Sequence, residues 1–308
     1  MSRSGALRAL LRRSLGVVAP VGAAGGAWLW ARPECGCKAA PRKRVAIYGG
    51  TFDPPTNSHM TCAGEKPGQQ CGAHTCGRNR AGAAVPGSMP RLILIIHSGS
   101  ADEVWLIPCG PRPDKPHLQT TPLDRYCMCQ IAVNSSFSPS FPVQVSDLET
   151  FRETAFYTYD LLQSLREQYP EIDFAFVIGS DWLQAKSNIT QWRSKNPHWK
   201  PGMPEEQKLI VTGDQLLKDF DFLVIPRPGF NVESTPEDPS GLQRYGPRLR
   251  WMQMPEDFAL IRGNLSATEI RQRAAAEQSR GGKLTAIQGL IPPGVVSFIR
   301  RKELYYRK

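Results

Sequence analysis

Short apolar segments that end in glycine constrain the fold of this chain more than any other feature. Arg44–Tyr48 ends at Gly49-Gly50, and the continuous apolar run Phe174–Ile178 ends at Gly179. Short apolar runs without polar alternation are typical of parallel strands buried on both faces. Four further segments have strand character: Val104–Pro108, Val143–Val145, Phe222–Pro226 and Phe258–Ile261.

Segments with helical character lie between and after these strands. They are Leu123–Val133, Thr158–Gln168 (with Leu161, Leu162 and Leu165 on one face), Ala267–Gln278 and Val295–Lys302. This alternation predicts an α/β fold, a Rossmann-like doubly wound parallel sheet in a single domain. Ligands of such sheets bind beyond the carboxyl ends of the strands. The loops to examine are therefore Gly49–His59, Cys109–His117, Gly179–Trp182 and Arg227–Gly229.

The positive charge of the chain is concentrated in its first 44 residues. The chain has a net charge of +10, and residues 1–44 contain nine Lys or Arg against one acid, Glu34. A protein that binds nucleic acid would place its cations on the folded domain. We therefore expect no nucleic-acid partner.

Residues 1–43 are expected to form an N-terminal leader, ahead of a domain at 44–308. The first 33 residues contain no acid, and an arginine-rich, acid-free stretch is typical of an organelle transit peptide. The apolar run Leu15–Ala31 leaves a signal peptide or membrane anchor open, and a disordered tail is a further alternative. The leader thus predicts contact with import machinery or a membrane. It favours a mitochondrial or plastid-like location, with cytoplasm or nucleus as the alternative.

Residues 62–91 are expected to be an irregular insertion in the domain. They are rich in Gly, Pro and Ala and have no apolar period. The spacing of Cys62, Cys71, His74 and Cys76 matches no common zinc pattern, so free reduced thiols are favoured. No protein metal site is predicted.

The first motif, Gly49–His59 (GGTFDPPTNSH), joins the first strand to a predicted helix. Its two glycines let the backbone approach a ligand closely. His59 would lie in the first turn of the helix, where unpaired N–H groups and the helix dipole suit a triphosphate. Its imidazole could donate a hydrogen bond to charge that develops on a transferring phosphoryl group. The alternative is an ordinary strand–turn–helix with an incidental histidine.

A second helix start is predicted at Ser266, which forms a capping box with Glu269. The N–H groups of this helix start, the hydroxyl of Thr268 and the guanidinium of Arg271 could bind phosphate oxygens. An ordinary capped helix is the alternative. Two such helix starts in one domain favour a phosphate site.

Two more strand ends carry polar or aromatic residues. Asp181, which follows Gly179 by two residues, could bind sugar hydroxyls. Trp192 could stack on a planar heterocycle or belong to the core. Arg112 and Lys115 could bind a phosphate monoester, or they could belong to a solvated basic loop.

These motifs, in this order, resemble the nicotinate/nicotinamide mononucleotide adenylyltransferase family. Gly49–His59 is similar to the family's GGTFDPxHxGH element, and Asn264–Arg271 (NLSATEIR) is similar to its ISSTxIR element. The likeness runs from about Val45 to the C-terminus. It includes Tyr157–Asp160 (YTYD) and the closing Pro292, Phe298 and Leu304-Tyr305.

Two departures from the family pattern stand out. Thr56 occupies the place of the first histidine in the bacterial motif, which resembles the eukaryotic TxxH variant. The family helix that starts near His59 is uninterrupted, whereas residues 62–91 follow here. This segment is either a tolerated loop or mis-predicted coding sequence.

The resemblance implies transfer of the adenylyl group of ATP to nicotinamide or nicotinate mononucleotide, with Mg²⁺ bound to the ATP. By position, His59 and Arg271 would be catalytic. The ATP-binding residues would be Gly50, His59, Gly179, Asp181, Thr268, Ile270 and Arg271. The mononucleotide-binding residues would be Gly50, Thr51, Phe52, Lys115, Thr158 and Trp192. Arg112 and Arg227 are weaker candidates, and a homo-oligomer is left open.

Other functions remain as alternatives. A related nucleotidyltransferase could act on phosphopantetheine, flavin mononucleotide or a polyol phosphate, although Trp192 and Tyr157-Thr158 argue against these. A non-catalytic, NAD-binding or chaperone-like module is a second alternative. A Rossmann dehydrogenase is disfavoured because no GxGxxG follows a predicted strand, and the chain has no GxxxxGK[ST] loop.

Overall fold

The computed structural model describes residues 41–57, 91–115, 118, 120–184, 187–227, 230, 232, 235–238, 241–252, 266–279 and 281–306. The chain divides into two units, Met1–Pro41 and Arg42–Lys308, and the elements below lie in the second. Its strands are β1 (Lys43–Gly50), β2 (Glu103–Pro108), β3 (Val143–Val145), β4 (Ile172–Gly179), β5 (Arg193–Lys195), β6 (Leu209–Val211), β7 (Asp221–Ile225) and β8 (Leu249–Trp251). Its helices are α1 (Arg91–His97), α2 (Pro122–Ser136), α3 (Thr158–Gln168), α4 (Gly213–Asp219), α5 (Ala267–Gln278) and α6 (Pro293–Arg301).

A six-stranded parallel sheet forms the centre of this unit, in the order β3-β2-β1-β4-β7-β8. Strands β1, β2 and β3 follow one another towards one edge of the sheet, and β4 then pairs with the other side of β1. The strand order therefore reverses between β1 and β4, and such a reversal opens a crevice at the carboxyl ends of the two strands. The predicted Rossmann-like doubly wound parallel sheet is confirmed.

Apolar packing on both faces of the sheet explains the apolar runs seen in the sequence. Val45 and Ile47 of β1 face a core shared with helix α3, whereas Ala46 faces a core shared with α2, α5 and α6. All three side chains are fully buried. Helix α3 begins and ends where predicted, and Leu161 and Leu165 lie buried on its inner face.

Several elements were not predicted from the sequence. Helix α1 starts at Arg91, directly where the predicted insertion ends, and buries Leu92 and Ile95 in the core. The antiparallel pair β5–β6, helix α4 and the edge strand β8 were also missed. The predicted strand Phe258–Ile261 lies outside the described residues. In the described part of the chain, no helix has the length and apolar character needed to cross a membrane.

Candidate active site

The turn after β1 is shaped by aromatic rings. A Cβ atom on Gly49 would come within 2.9 Å of the Phe176 ring, and one on Gly50 within 2.9 Å of the Phe52 ring. Phe52 has a φ of +48° and packs edge-on against Tyr48 at 5.6 Å between ring centroids. The two glycines are therefore required for this aromatic packing as well as for any close approach of a ligand. Phe52 is buried, so a ligand could contact it only through its backbone.

Arg271 reaches this turn from helix α5. Its Nη1 atom donates to the carbonyl oxygen of Asp53 at 2.7 Å, and its Nη2 atom donates to the Thr268 hydroxyl at 3.1 Å. Helix α5 begins as predicted, with the Ser266 hydroxyl accepting from the N–H of Glu269 at 3.1 Å. The predicted capping box is only half present, because the Glu269 carboxylate pairs with Arg273 instead.

Lys115 reaches the same turn from the loop after β2. Its Nζ atom donates to the Thr51 hydroxyl at 3.0 Å. Burial, followed by the like charge of Arg112 and then of Arg271, lowers the pKa of Lys115. Arg112 itself is paired with Asp114 in the same loop, at 2.7 Å and 2.5 Å.

The base of this loop is fixed by two buried charged side chains. Arg125 is 2% exposed and donates from Nη2 to the carbonyl oxygens of Cys109 and Gly110, both at 2.8 Å. The Glu149 carboxylate accepts from the N–H of Gly110 at 2.9 Å. Burial raises the pKa of Glu149 to about 6. The start of the loop that carries Lys115 is therefore fixed by hydrogen bonds to its carbonyl oxygens and to the N–H of Gly110.

Asp181 and Arg227 form an ion pair across the ends of β4 and β7. Arg227 Nη1 lies 3.0 Å from Asp181 Oδ2. Gly179 makes room for the pair, because a Cβ atom there would lie 2.2 Å from Asp181 Oδ1 and 2.5 Å from Arg227 Nε. The buried Oδ1 atom of Asp181 accepts no hydrogen bond from the described residues.

Trp192 lies beside the end of β4. Its ring packs edge-on against Phe176 at 6.2 Å and against Trp182 at 4.9 Å, and Trp182 is 40% exposed. Strand β5 follows Trp192 directly and packs against helix α3, of which Thr158 is the first residue. Trp192 and Thr158 therefore belong to adjoining elements at one edge of the crevice.

The structure brings most of the predicted residues to this edge of the sheet. Gly50, Thr51, Lys115, Thr268 and Arg271 surround the turn after β1, and Gly179, Asp181 and Trp192 lie at β4. Ile270 is fully buried in the core, so only its backbone could contact a ligand. His59 lies outside the described residues. Among the described residues, no three His, Cys, Asp or Glu side chains form a group that could hold a metal ion.

Sequence reasoning missed the polar residues beneath the site, which are Asp53, Thr120, Arg125, Glu149 and Tyr305. Asp53 stood inside the first motif, but its side chain was assigned no role. Thr120 and Arg125 are close in sequence, but Glu149 and Tyr305 are far from them, and none of the four was assigned a role. Only the fold brings them together.

Several known proteins are similar to this chain along most of its length. No protein-family model matches the chain. The probable nicotinate-nucleotide adenylyltransferase of Oceanobacillus iheyensis is 26% identical over 264 residues, which cover 85% of this chain and 97% of that protein. The nicotinate-nucleotide adenylyltransferase of Bacillus subtilis is 26% identical over 264 residues, covering 85% and 98%. The probable enzyme of that name from Corynebacterium kroppenstedtii is 28% identical over 263 residues, covering 85% and 90%.

Two solved structures share the fold. Plasmodium falciparum nicotinic acid mononucleotide adenylyltransferase complexed with NaAD has a TM-score of 0.55 at 24% identity, covering 85% of this chain and 97% of that one. The same enzyme complexed with APC has a TM-score of 0.53 at 22% identity, with the same coverage. At these identities the likeness establishes the architecture of the domain.

The sheet order and the polar groups at its reversal point define a Rossmann-like α/β fold with a candidate site for a phosphate-bearing ligand. Relatives that match along nearly their whole length make the assignment more specific. The chain is similar to nicotinate-nucleotide adenylyltransferases over 85% of its length.

Proposed function

We propose that this protein transfers the adenylyl group of ATP to nicotinate mononucleotide, to nicotinamide mononucleotide or to both. The products are the corresponding dinucleotide and pyrophosphate, which places the reaction in NAD biosynthesis. The named activity of the relatives supports this proposal.

The observation that carries the proposal is the pair of cations on the turn after β1. Lys115 bonds to Thr51 and Arg271 bonds to the carbonyl of Asp53, two residues further on. The two cations come from different motifs, and they are close enough for Arg271 to contribute to the lowered pKa of Lys115. Two like charges held at one turn, each from a partly exposed side chain, are suited to two phosphate groups.

The chemistry needs no side-chain nucleophile. An oxygen of the mononucleotide 5′-phosphate attacks the α-phosphorus of ATP, and the bond from the α-phosphorus to the oxygen that leads to the β-phosphorus breaks. Pyrophosphate leaves with that oxygen. A phosphate monoester is an adequate nucleophile, so catalysis rests on alignment and on stabilisation of the transferring charge.

The site residues divide between the two substrates. Lys115 holds the mononucleotide phosphate, with Gly50 and Thr51 alongside it. Arg271 holds the ATP phosphates together with Thr268 and the backbone N–H groups at the start of helix α5. His59 is proposed to stabilise the same phosphates.

The sugar and ring contacts come from the β4 side of the crevice. The Asp181 carboxylate, which is partly exposed beside its Arg227 partner, accepts from a ribose hydroxyl next to the backbone of Gly179. Trp192 stacks on the pyridine ring, and Thr158 contacts its amide edge. Mg²⁺ would enter as part of the MgATP substrate, since magnesium prefers phosphate oxygens and water to an all-protein cage.

The test is a product assay on the purified chain, with MgATP and each mononucleotide in turn. We expect dinucleotide and pyrophosphate in equal amounts with at least one mononucleotide. Parallel reactions with flavin mononucleotide and phosphopantetheine test the related activities. The proposal is wrong if another acceptor is preferred, or if the chain binds NAD but releases no pyrophosphate.

The same assay on a variant without residues 62–91 tests the insertion. Asn57 and helix α1 flank this segment, and both are anchored: Asn57 donates from its backbone N–H to the carbonyl of Leu290 at 2.9 Å, and α1 is buried. We propose that the deletion keeps activity. We also propose that residues 1–43 direct the protein to an organelle, which a fluorescent fusion with and without this leader would test.

A further inference from the structure

The carboxylate of Asp53 lies wholly buried beneath the turn that Arg271 and Lys115 surround. Its exposed fraction is 0%. Oδ1 accepts two hydrogen bonds, from the Thr120 hydroxyl at 2.8 Å and from the Tyr305 hydroxyl at 2.6 Å. Thr120 is 67 positions and Tyr305 is 252 positions from Asp53 in the sequence, so three distant segments of the chain meet at this atom.

The other oxygen of this carboxylate faces Arg271. Asp53 Oδ2 lies 3.8 Å from Arg271 Nη1 and accepts no hydrogen bond from the described residues. The same Nη1 atom donates to the backbone carbonyl of Asp53. Arg271 is thus held by one hydrogen bond to the turn and by the charge beneath it, and its side chain remains 20% exposed. A buried charge left without its partner is costly, so the pair holds the guanidinium in place.

Tyr305 has a left-handed backbone conformation, which its tertiary contacts must stabilise. Its φ is +67°, a region that residues other than glycine occupy only where tertiary contacts determine it. Its side chain is 3% exposed, and burial, followed by the charge of Asp53, raises the pKa of its hydroxyl. The tyrosine therefore stays protonated at neutral pH and remains a donor to the carboxylate.

We propose that Tyr305 and Asp53 are positioning residues for Arg271. Tyr305 fixes one oxygen of the Asp53 carboxylate, so the other oxygen remains directed at the guanidinium. The guanidinium then presents its exposed side to the triphosphate of ATP in one orientation. The identity of this ligand rests on the proposed function. The C-terminal segment is thereby part of the ATP site without touching ATP.

The test compares Tyr305→Phe with Tyr306→Phe. Each variant loses one hydroxyl, but Tyr306 is 41% exposed and lies outside this hydrogen-bond group. MgATP affinity is measured by calorimetry, which needs no turnover. Since one hydrogen bond to a charged group is at stake, we expect Tyr305→Phe to weaken MgATP binding about 3- to 10-fold. We expect wild-type affinity for Tyr306→Phe, and unchanged mononucleotide affinity for both.

A double-mutant cycle with Arg271→Lys separates positioning from a general structural effect. If Tyr305 acts through Arg271, Tyr305→Phe has little further effect in the Arg271→Lys background. Equal effects in both backgrounds would overturn the proposal, as would equal losses of MgATP and mononucleotide affinity. Thr120→Val removes the second donor to the same oxygen and replaces Tyr305→Phe if that variant does not fold.

The outcomes also separate this inference from the proposed function. A wild-type chain that binds MgATP but forms no dinucleotide contradicts the proposed function, and the affinity comparison still decides the role of Tyr305. A wild-type chain that does not bind MgATP overturns the inference itself.

Discussion

Substitution of Lys115 is expected to lower the activity of this protein without lowering its stability. Its Nζ atom bonds to the Thr51 hydroxyl, and burial and the charge of Arg112 lower its pKa. In the proposed reaction it gives one charge-assisted hydrogen bond to the mononucleotide phosphate, a contact of about 1.5–3 kcal/mol. At about 1.4 kcal/mol per tenfold change, Lys115→Met should lower kcat/KM for the mononucleotide about 10- to 150-fold.

The same substitution should not destabilise the fold. A lysine whose pKa is lower in the folded state binds its proton less tightly there than in the unfolded chain. At pH 7, below both pKa values, the charged form therefore costs folding free energy, and this cost is lost as pH rises through the folded pKa toward 10.5. Removing the charge should leave the Tm unchanged or raise it.

The assay is steady-state kinetics with the mononucleotide varied at saturating MgATP, together with thermal unfolding. Lys115→Arg keeps the charge and should lose less activity. Lys218→Met is the matched control, because Lys218 is an exposed lysine in the last turn of helix α4. An unchanged kcat/KM would refute the phosphate contact. A parallel fall in Tm would instead make Lys115 a structural support of the Thr51 turn.

Three further predictions concern other parts of the site. His59→Ala should lower kcat about 10²- to 10³-fold, the range for loss of one preorganised donor, and a near-normal kcat would remove His59 from the mechanism. Gly179→Ala should raise the KM for ATP and cost about 1–3 kcal/mol of stability, because its Cβ would displace Asp181; normal values for both would contradict this. Glu149→Gln keeps an acceptor for Gly110. The raised pKa of Glu149 means that the wild type loses stability as pH rises from 4.5 to about 6. The unfolding free energy of the variant, relative to that of the wild type, should therefore rise by about 2 kcal/mol across this pH window, as measured by denaturant unfolding. A difference in unfolding free energy that does not change with pH would refute the prediction for Glu149.

Segments with an unambiguous period could be predicted from the sequence almost to the residue. Helix α3 and strand β3 match their predicted bounds, because each carries a local pattern that tertiary packing does not alter. Helix α1 could not be predicted, since RLILIIH is a continuous apolar run in which a helix and a buried strand look alike. Strand β8 has three residues and gains its identity only by pairing with β7.

The sequence by itself determined the chemistry-bearing motifs and their order. Gly49–His59, Asp181 and Ser266–Arg271 are recognisable because each is a contiguous pattern with a local physical meaning. Only the tertiary structure decided how these motifs are supported. One oxygen of the buried Asp53 carboxylate accepts a hydrogen bond from Tyr305, 252 positions away. A contact of this kind leaves no periodicity in a single sequence, because it arises from the burial of a charge that needs a donor from wherever the fold provides one.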